Sequence, residues 1–80
     1  MINAYVLITS EVGRSAGIIK ELKKLRGVKI ISVTAGEFDI IVRVEVNSLE
    51  ELYNLVESMQ EIPGILRTVT HVVMKEETKE

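Results

Sequence analysis

VKIISVTAGEFDIIVRVEV, Val28 to Val46, decides how this chain folds. Two runs rich in valine and isoleucine, Val28 to Ala35 and Phe38 to Val46, are separated by so few residues that they must turn back on each other. Gly36, which accepts positive φ without steric penalty, is where an antiparallel hairpin turns. The second run alternates: Ile40, Val42, Val44 and Val46 face one way, and Ile41, Arg43 and Glu45 the other. One side of this hairpin is therefore built for a core and the other is mixed.

On the N-terminal side, Ile2 to Thr9 (INAYVLIT) is another β-rich run. Its apolar residues fall on both alternating sets, with Ile2, Ala4, Val6 and Ile8 on one and Tyr5 and Leu7 on the other, which predicts cover on both faces. From Ser15 the period lengthens. Ile18, Ile19, Leu22 and Leu25 share a helical stripe that the lysines largely avoid, and Gly27 suits the position just past a helix end.

On the C-terminal side, Ser48 followed by Glu51 is a capping box, and Leu49, Leu52, Tyr53, Val56 and Met59 continue a stripe from it. Ile62-Pro63-Gly64 breaks that helix, and Ile65 to Met74 supplies a last strand. The closing KEETKE is charged and should fray. The predicted order is strand, helix, strand, strand, helix, strand. Right-handed crossovers place both helices on one face of a four-stranded antiparallel sheet, which is the ferredoxin-like βαββαβ architecture. The opposite face, carrying Tyr5 and Leu7, lacks a cover, and a second copy packing sheet to sheet supplies one.

Eighty residues make one domain, expected over residues 1–75 with a charged tail at 76–80. A net charge of −2 argues against a direct grip on nucleic acid, which requires clustered Lys and Arg. Cysteine is absent, as suits a reducing compartment. Met1 to Thr9 lacks the basic leader and cleavage site of an export signal, and no apolar run reaches the roughly 20 residues of a membrane span. The expectation is a soluble cytoplasmic protein.

Catalysis needs a nucleophile, a base and an orienting group, and no such set is visible. His71, the only histidine, sits in the strand run RTVTHVVM, where a packed or interface role is expected. One histidine and scattered carboxylates give no metal-ligand spacing, so no metal is expected. GRSAG, Gly13 to Gly17, lacks both phosphate-cradling patterns, and no cofactor is expected.

VTAGEFD, Val33 to Asp39, remains, and it has two readings. In one, Gly36 makes the turn, Glu37 solvates it, Phe38 enters the core and Asp39 caps a free backbone N–H. In the other, N–H groups near Gly36 take an α-carboxylate while Asp39 or Glu37 pairs with an α-ammonium, the two opposite partners that a zwitterion needs.

VTAGEFDIIVRV, then a capped helix, then EIPGILRTVTHVVMKEE resembles the effector (RAM) domain of the leucine-responsive regulator and asparagine-operon activator (Lrp/AsnC) family. The resemblance covers nearly the whole chain. Its most specific pieces are the G-x-x-D hairpin, Gly36 and Asp39, and Pro63-Gly64 followed by Thr68, Thr70 and a Val-Val-Met strand. It implies a ferredoxin-like fold, homodimers formed through the sheets, higher oligomers built from dimers, and amino acid effectors bound between dimers. Carried over, Gly36, Glu37, Phe38 and Asp39 form one wall of the ligand site, and Thr68, Thr70, His71 and Val72 match the effector-responsive part of the last strand. The family's regulators carry an N-terminal helix-turn-helix, whereas this sequence begins at the first effector-domain strand, so a stand-alone form without direct DNA binding is expected.

The functional expectation is a non-enzymatic, oligomeric amino-acid-binding module that takes part in transcription regulation, co-assembling with full-length Lrp/AsnC regulators. The alternatives are a purely structural assembly protein and a dimeric ferredoxin-like enzyme using His71 as acid or base.

Overall fold

The computed structural model describes residues 1–79. Its elements follow the predicted order: β1 (Ile2–Ser10), α1 (Ser15–Leu22), β2 (Val28–Val33), β3 (Ile40–Val46), α2 (Leu49–Gln60) and β4 (Ile65–Val72). The four strands form one antiparallel sheet in the order β2-β3-β1-β4, so β3 and β1 are the two central strands.

Period-2 geometry sorts the sheet into two faces. Ala4, Val6 and Ile8 of β1 and Ile40, Val42, Val44 and Val46 of β3 are buried on the helix-bearing face, where they meet Ile18 and Leu22 of α1 and Leu52, Leu55 and Met59 of α2. Burying each such side chain fully is worth about 1.5–3 kcal/mol, so this single layer of contacts carries most of the driving force. The other face is bare: it presents Tyr5, Leu7, Ile41 and Val69, all only half buried, with Ile30 at 56% exposure. β1 is thus covered on one face within the chain, not both.

The helices differ in detail from expectation. Helical hydrogen bonding in α1 ends at Leu22 rather than continuing to Gly27. Lys24 N–H and Leu25 N–H donate three residues back, to the Glu21 and Leu22 carbonyls, and this tighter winding closes the helix a turn early. Leu25 still packs against the core from the turn. In α2 the inner stripe is Leu52, Leu55 and Met59, whereas Leu49 and Tyr53 of the expected stripe are each 63% exposed. The capping box forms, with Ser48 Oγ accepting from Glu51 N–H at 3.1 Å, but Glu51 Oε2 reaches back one residue further than expected, to Asn47 N–H at 3.2 Å.

The C-terminal segment departs most. β4 ends at Val72, two residues before the expected Met74, although Val73 N–H still donates to the Asn3 carbonyl at 2.8 Å. Residues 74–79 carry no regular structure and are exposed, yet the Glu76 side chain reaches the bare face. Glu76 accepts from Arg43 through both carboxylate oxygens, at 2.7 and 3.2 Å, and from the Tyr5 hydroxyl at 3.1 Å. Glu80 lies outside the described residues.

Candidate functional site

The β2–β3 connection is a loop of residues 34–39, longer than the tight turn expected, because both strands stop short of Gly36. Its ends are tied twice: Thr34 N–H donates to the Asp39 carbonyl at 3.0 Å, and Thr34 Oγ1 donates to the Phe38 carbonyl at 2.7 Å. Asp39 also reaches β1 on its other side. Its N–H donates to the Ile8 carbonyl at 2.9 Å, and its Oδ2 accepts from Ser10 N–H at 2.7 Å. Ser10 Oγ lies 3.4 Å from the same oxygen. The loop is therefore latched to the end of β1 by one side chain. Gly36 has φ +154°, and a Cβ placed there would meet nothing within 4 Å, so backbone conformation, not space, requires glycine.

Between these anchors, the N–H groups of residues 35–38 donate to no acceptor among the described residues. The Arg67 guanidinium stands 5.8 Å from the centre of the Phe38 ring, close enough for a cation–π contact. Arg67 pairs with Thr9 across the β1–β4 ladder, so the first residues of β4 and the last of β1 flank the loop. One corner of the molecule thus collects free amides, a carboxylate and a guanidinium, which are the complements of an α-carboxylate and an α-ammonium. The corner is a wall, open to solvent on its outer side: Gly36 and Glu37 are exposed and Phe38 and Asp39 only partly buried.

The eight residues singled out from the sequence do not converge. Gly36, Glu37, Phe38 and Asp39 share the loop. Thr68, Thr70 and Val72 pair with Ile8, Val6 and Ala4 and so lie on the helix-bearing side of β4. There the Thr68 hydroxyl accepts from Gln60 Nε2 at 2.9 Å, and Thr70 lines a shallow apolar groove with Leu49, Leu52, Tyr53 and Val56. His71 pairs with Tyr5 and lies on the opposite, bare face. Within one subunit, then, β4 offers two separate surfaces. Arg67, which does reach the loop, escaped the sequence reading because its role depends on the β1–β4 register. Among the described residues, no cluster of three or more His, Cys, Asp or Glu side chains could hold a metal ion.

The decisive comparison is with protein families: residues 3–80 match the model described as Lrp/AsnC ligand binding domain. The chain belongs to this family. It is 30% identical over 72 residues to the HTH-type transcriptional regulator FL11 of Pyrococcus abyssi, covering 90% of this chain and 48% of that protein. The chain spans about half the length of such curated relatives. Similarity of 30% over 61 residues extends to the homocitrate synthase of Sulfurisphaera tokodaii, covering 76% of this chain and only 13% of that enzyme.

Solved structures agree on the ferredoxin-like fold. TTHA0845 from Thermus thermophilus superposes with a TM-score of 0.89 at 24% identity, covering 99% of this chain and all, 100%, of that one. The feast or famine regulatory protein Rv3291c from M. tuberculosis, solved with L-methionine, superposes with a TM-score of 0.83 at 21% identity, covering 100% of this chain and 54% of that one. The architecture is that of an Lrp/AsnC effector domain, a ligand-binding family involved in transcription regulation. No helix among the described residues is long and apolar enough to cross a membrane.

Proposed function

We propose that this Lrp/AsnC domain is a sensor of a free amino acid, which it binds at the hairpin corner and converts into a change of assembly. The observation that carries the reading is the corner itself. The free N–H groups of residues 35–38 and the Arg67 guanidinium suit a carboxylate, and the Asp39 and Glu37 carboxylates suit an ammonium. The methionine complex of Rv3291c supports the ligand class.

An open wall excludes too little water to bind tightly, so a neighbouring subunit closes it. Thr68, Thr70, His71 and Val72 enter the site in that assembly, contributed from more than one subunit, because one β4 strand cannot present both faces to one ligand. Dimers form through the bare sheet face, which covers Leu7, Ile41 and Val69, and dimers then associate further. The module performs no catalysis. It acts in the cytoplasm on transcription by co-assembling with full-length regulators, and makes no sequence-specific DNA contact of its own. The similarity to a segment of homocitrate synthase favours a second reading, in which the same sensing is coupled to an enzyme instead of a DNA-binding partner.

Thermal unfolding with each of the twenty amino acids tests the proposal. Ligand at about 100 times its Kd stabilises a native state by about 2.7 kcal/mol. For a domain of this size that raises Tm by about 10 °C or more. Uniformly unchanged melting temperatures at millimolar amino acid would refute it and favour a purely structural assembly.

A further inference from the structure

We propose that Glu76 is an assembly determinant: by clasping Arg43 it makes the bare sheet face acceptable to a second copy of this chain. The inference rests on the sheet-to-sheet pairing proposed above and adds the residue that decides whether that pairing is strong.

Arg43 occupies a central strand and points out of the bare face, directly across from Tyr5. The row beside it, Leu7 with Ile41 and Val69, is the apolar strip that a second copy would cover. Any subunit seated on that strip also desolvates Arg43. A guanidinium taken out of water without a partner is among the most costly groups to bury. Here the partner is built in: Glu76 takes both terminal nitrogens of Arg43, at 2.7 and 3.2 Å, while Tyr5 Oη accepts from Arg43 at 3.0 Å and donates to the same carboxylate at 3.1 Å. Arg43 also stacks over the Tyr5 ring, 5.6 Å from its centre. The result is an internally hydrogen-bonded ion pair where a guanidinium with no hydrogen-bonded carboxylate would otherwise stand.

The clasp has little purpose in a monomer. An exposed ion pair contributes little to stability, and holding the chain after Val72 against the sheet costs backbone entropy. Glu76 is about half exposed in one subunit, its side chain retaining 44% of its accessibility, so the pair gains most of its strength only when something excludes water from it. Glu45 is the other carboxylate near Arg43, yet at 3.9 Å it is beyond hydrogen-bond reach and cannot satisfy the guanidinium N–H groups.

Sedimentation velocity over a dilution series, with the full chain, tests the assignment through the concentration at which half the chains become monomeric. Glu76→Gln should raise that concentration at least about tenfold, because it removes the charge opposite a desolvated cation. Glu45→Gln should shift it less than about fivefold. In an Arg43→Met background the penalty should vanish or reverse, because Glu76 is then itself the unpaired charge: Glu76→Gln should leave the dimer as strong or strengthen it. Wild-type behaviour of Glu76→Gln overturns the proposal while leaving sheet pairing intact, and a tighter Glu76→Gln dimer overturns it by showing that the strap obstructs the face. A wild type that stays monomeric at tens of micromolar sinks the pairing and the clasp together. Circular dichroism melts of each variant separate loss of assembly from loss of fold.

Discussion

Asp39 latches the loop to β1 and, in the proposed sensor, also pairs with the ligand's ammonium; a pair of substitutions separates the two roles. Asp39→Ala removes the acceptor for Ser10 N–H, a 2.7 Å charge-assisted bond that latches the β2–β3 loop to the end of β1. Leaving a buried amide unpaired costs about 1–3 kcal/mol, and the part-buried setting here puts the loss at the lower end, about 1–1.5 kcal/mol. In a domain of this size that lowers Tm by about 5–10 °C. Asp39→Asn keeps an oxygen that can accept from Ser10 and should recover most of the lost Tm, yet it carries no charge for a ligand's ammonium. Its amino acid affinity should fall about tenfold or more, the cost of losing one side of a charged hydrogen bond. The assays are thermal unfolding by circular dichroism and calorimetric titration with the amino acid that gives the largest thermal shift. An Asp39→Ala variant that melts with wild type would show that the latch contributes nothing. An Asp39→Asn variant that binds with wild-type affinity would remove Asp39 from the ligand site and leave it as a structural residue.

Gly27→Ala should destabilise by about 2 kcal/mol or more, since residue 27 holds φ +97° and its new Cβ would press on the Glu45 carbonyl at 3.1 Å; urea titration measures it. Gly17→Ala is the contrast: it lies inside α1 with nothing within 4 Å of the added methyl, and should stabilise by about 0.5–1 kcal/mol in the same titration. Ser48→Ala removes the α2 cap and should cost about 1 kcal/mol. The Glu76 carboxyl is held below its ordinary value near 4.5 by the hydrogen bond from Arg43 and then by that from Tyr5. A depressed carboxyl contributes fully above the ordinary value and loses that contribution as pH falls through the folded one, so the clasp should be closed at neutral pH and open progressively below about pH 4.5, as NMR titration of the Glu76 side chain would show.

Legibility followed sequence distance. Alternation in Ile40–Val46 reports burial directly, because period 2 leaves each side chain one of two faces and only the helix-bearing one is apolar throughout. α2 was harder. Its sequence carries apolar residues on two adjoining stripes, and which of them meets the sheet depends on the rotation of the helix about its axis, set by contacts with β1, β3 and β4 and not by spacing. The site was partly legible for the same reason. Gly36 and Asp39 announce themselves locally, but the latch from Asp39 to Ser10 spans 29 positions, and the clasp from Glu76 to Arg43 spans 33. Period 2 already places His71 opposite to Thr68, Thr70 and Val72; only the register with β1 says which of them meets the helices.

Why acids stand at this hairpin then has a single physical answer with two consequences. The loop at this sheet corner has little apolar packing to anchor it, because Gly36 and Glu37 are exposed and Phe38 and Asp39 only partly buried. The Asp39 carboxylate, accepting from Ser10 N–H, fixes the loop instead. One oxygen suffices for that: Oδ2 takes both contacts from Ser10, and no hydrogen bond among the described residues uses Oδ1. In the proposed site, the group that fixes the loop would thereby keep its second oxygen available for a ligand's ammonium. The coupling also makes a claim that the Asp39 pair decides, since an acid kept for folding alone would give Asp39→Asn wild-type behaviour in both assays.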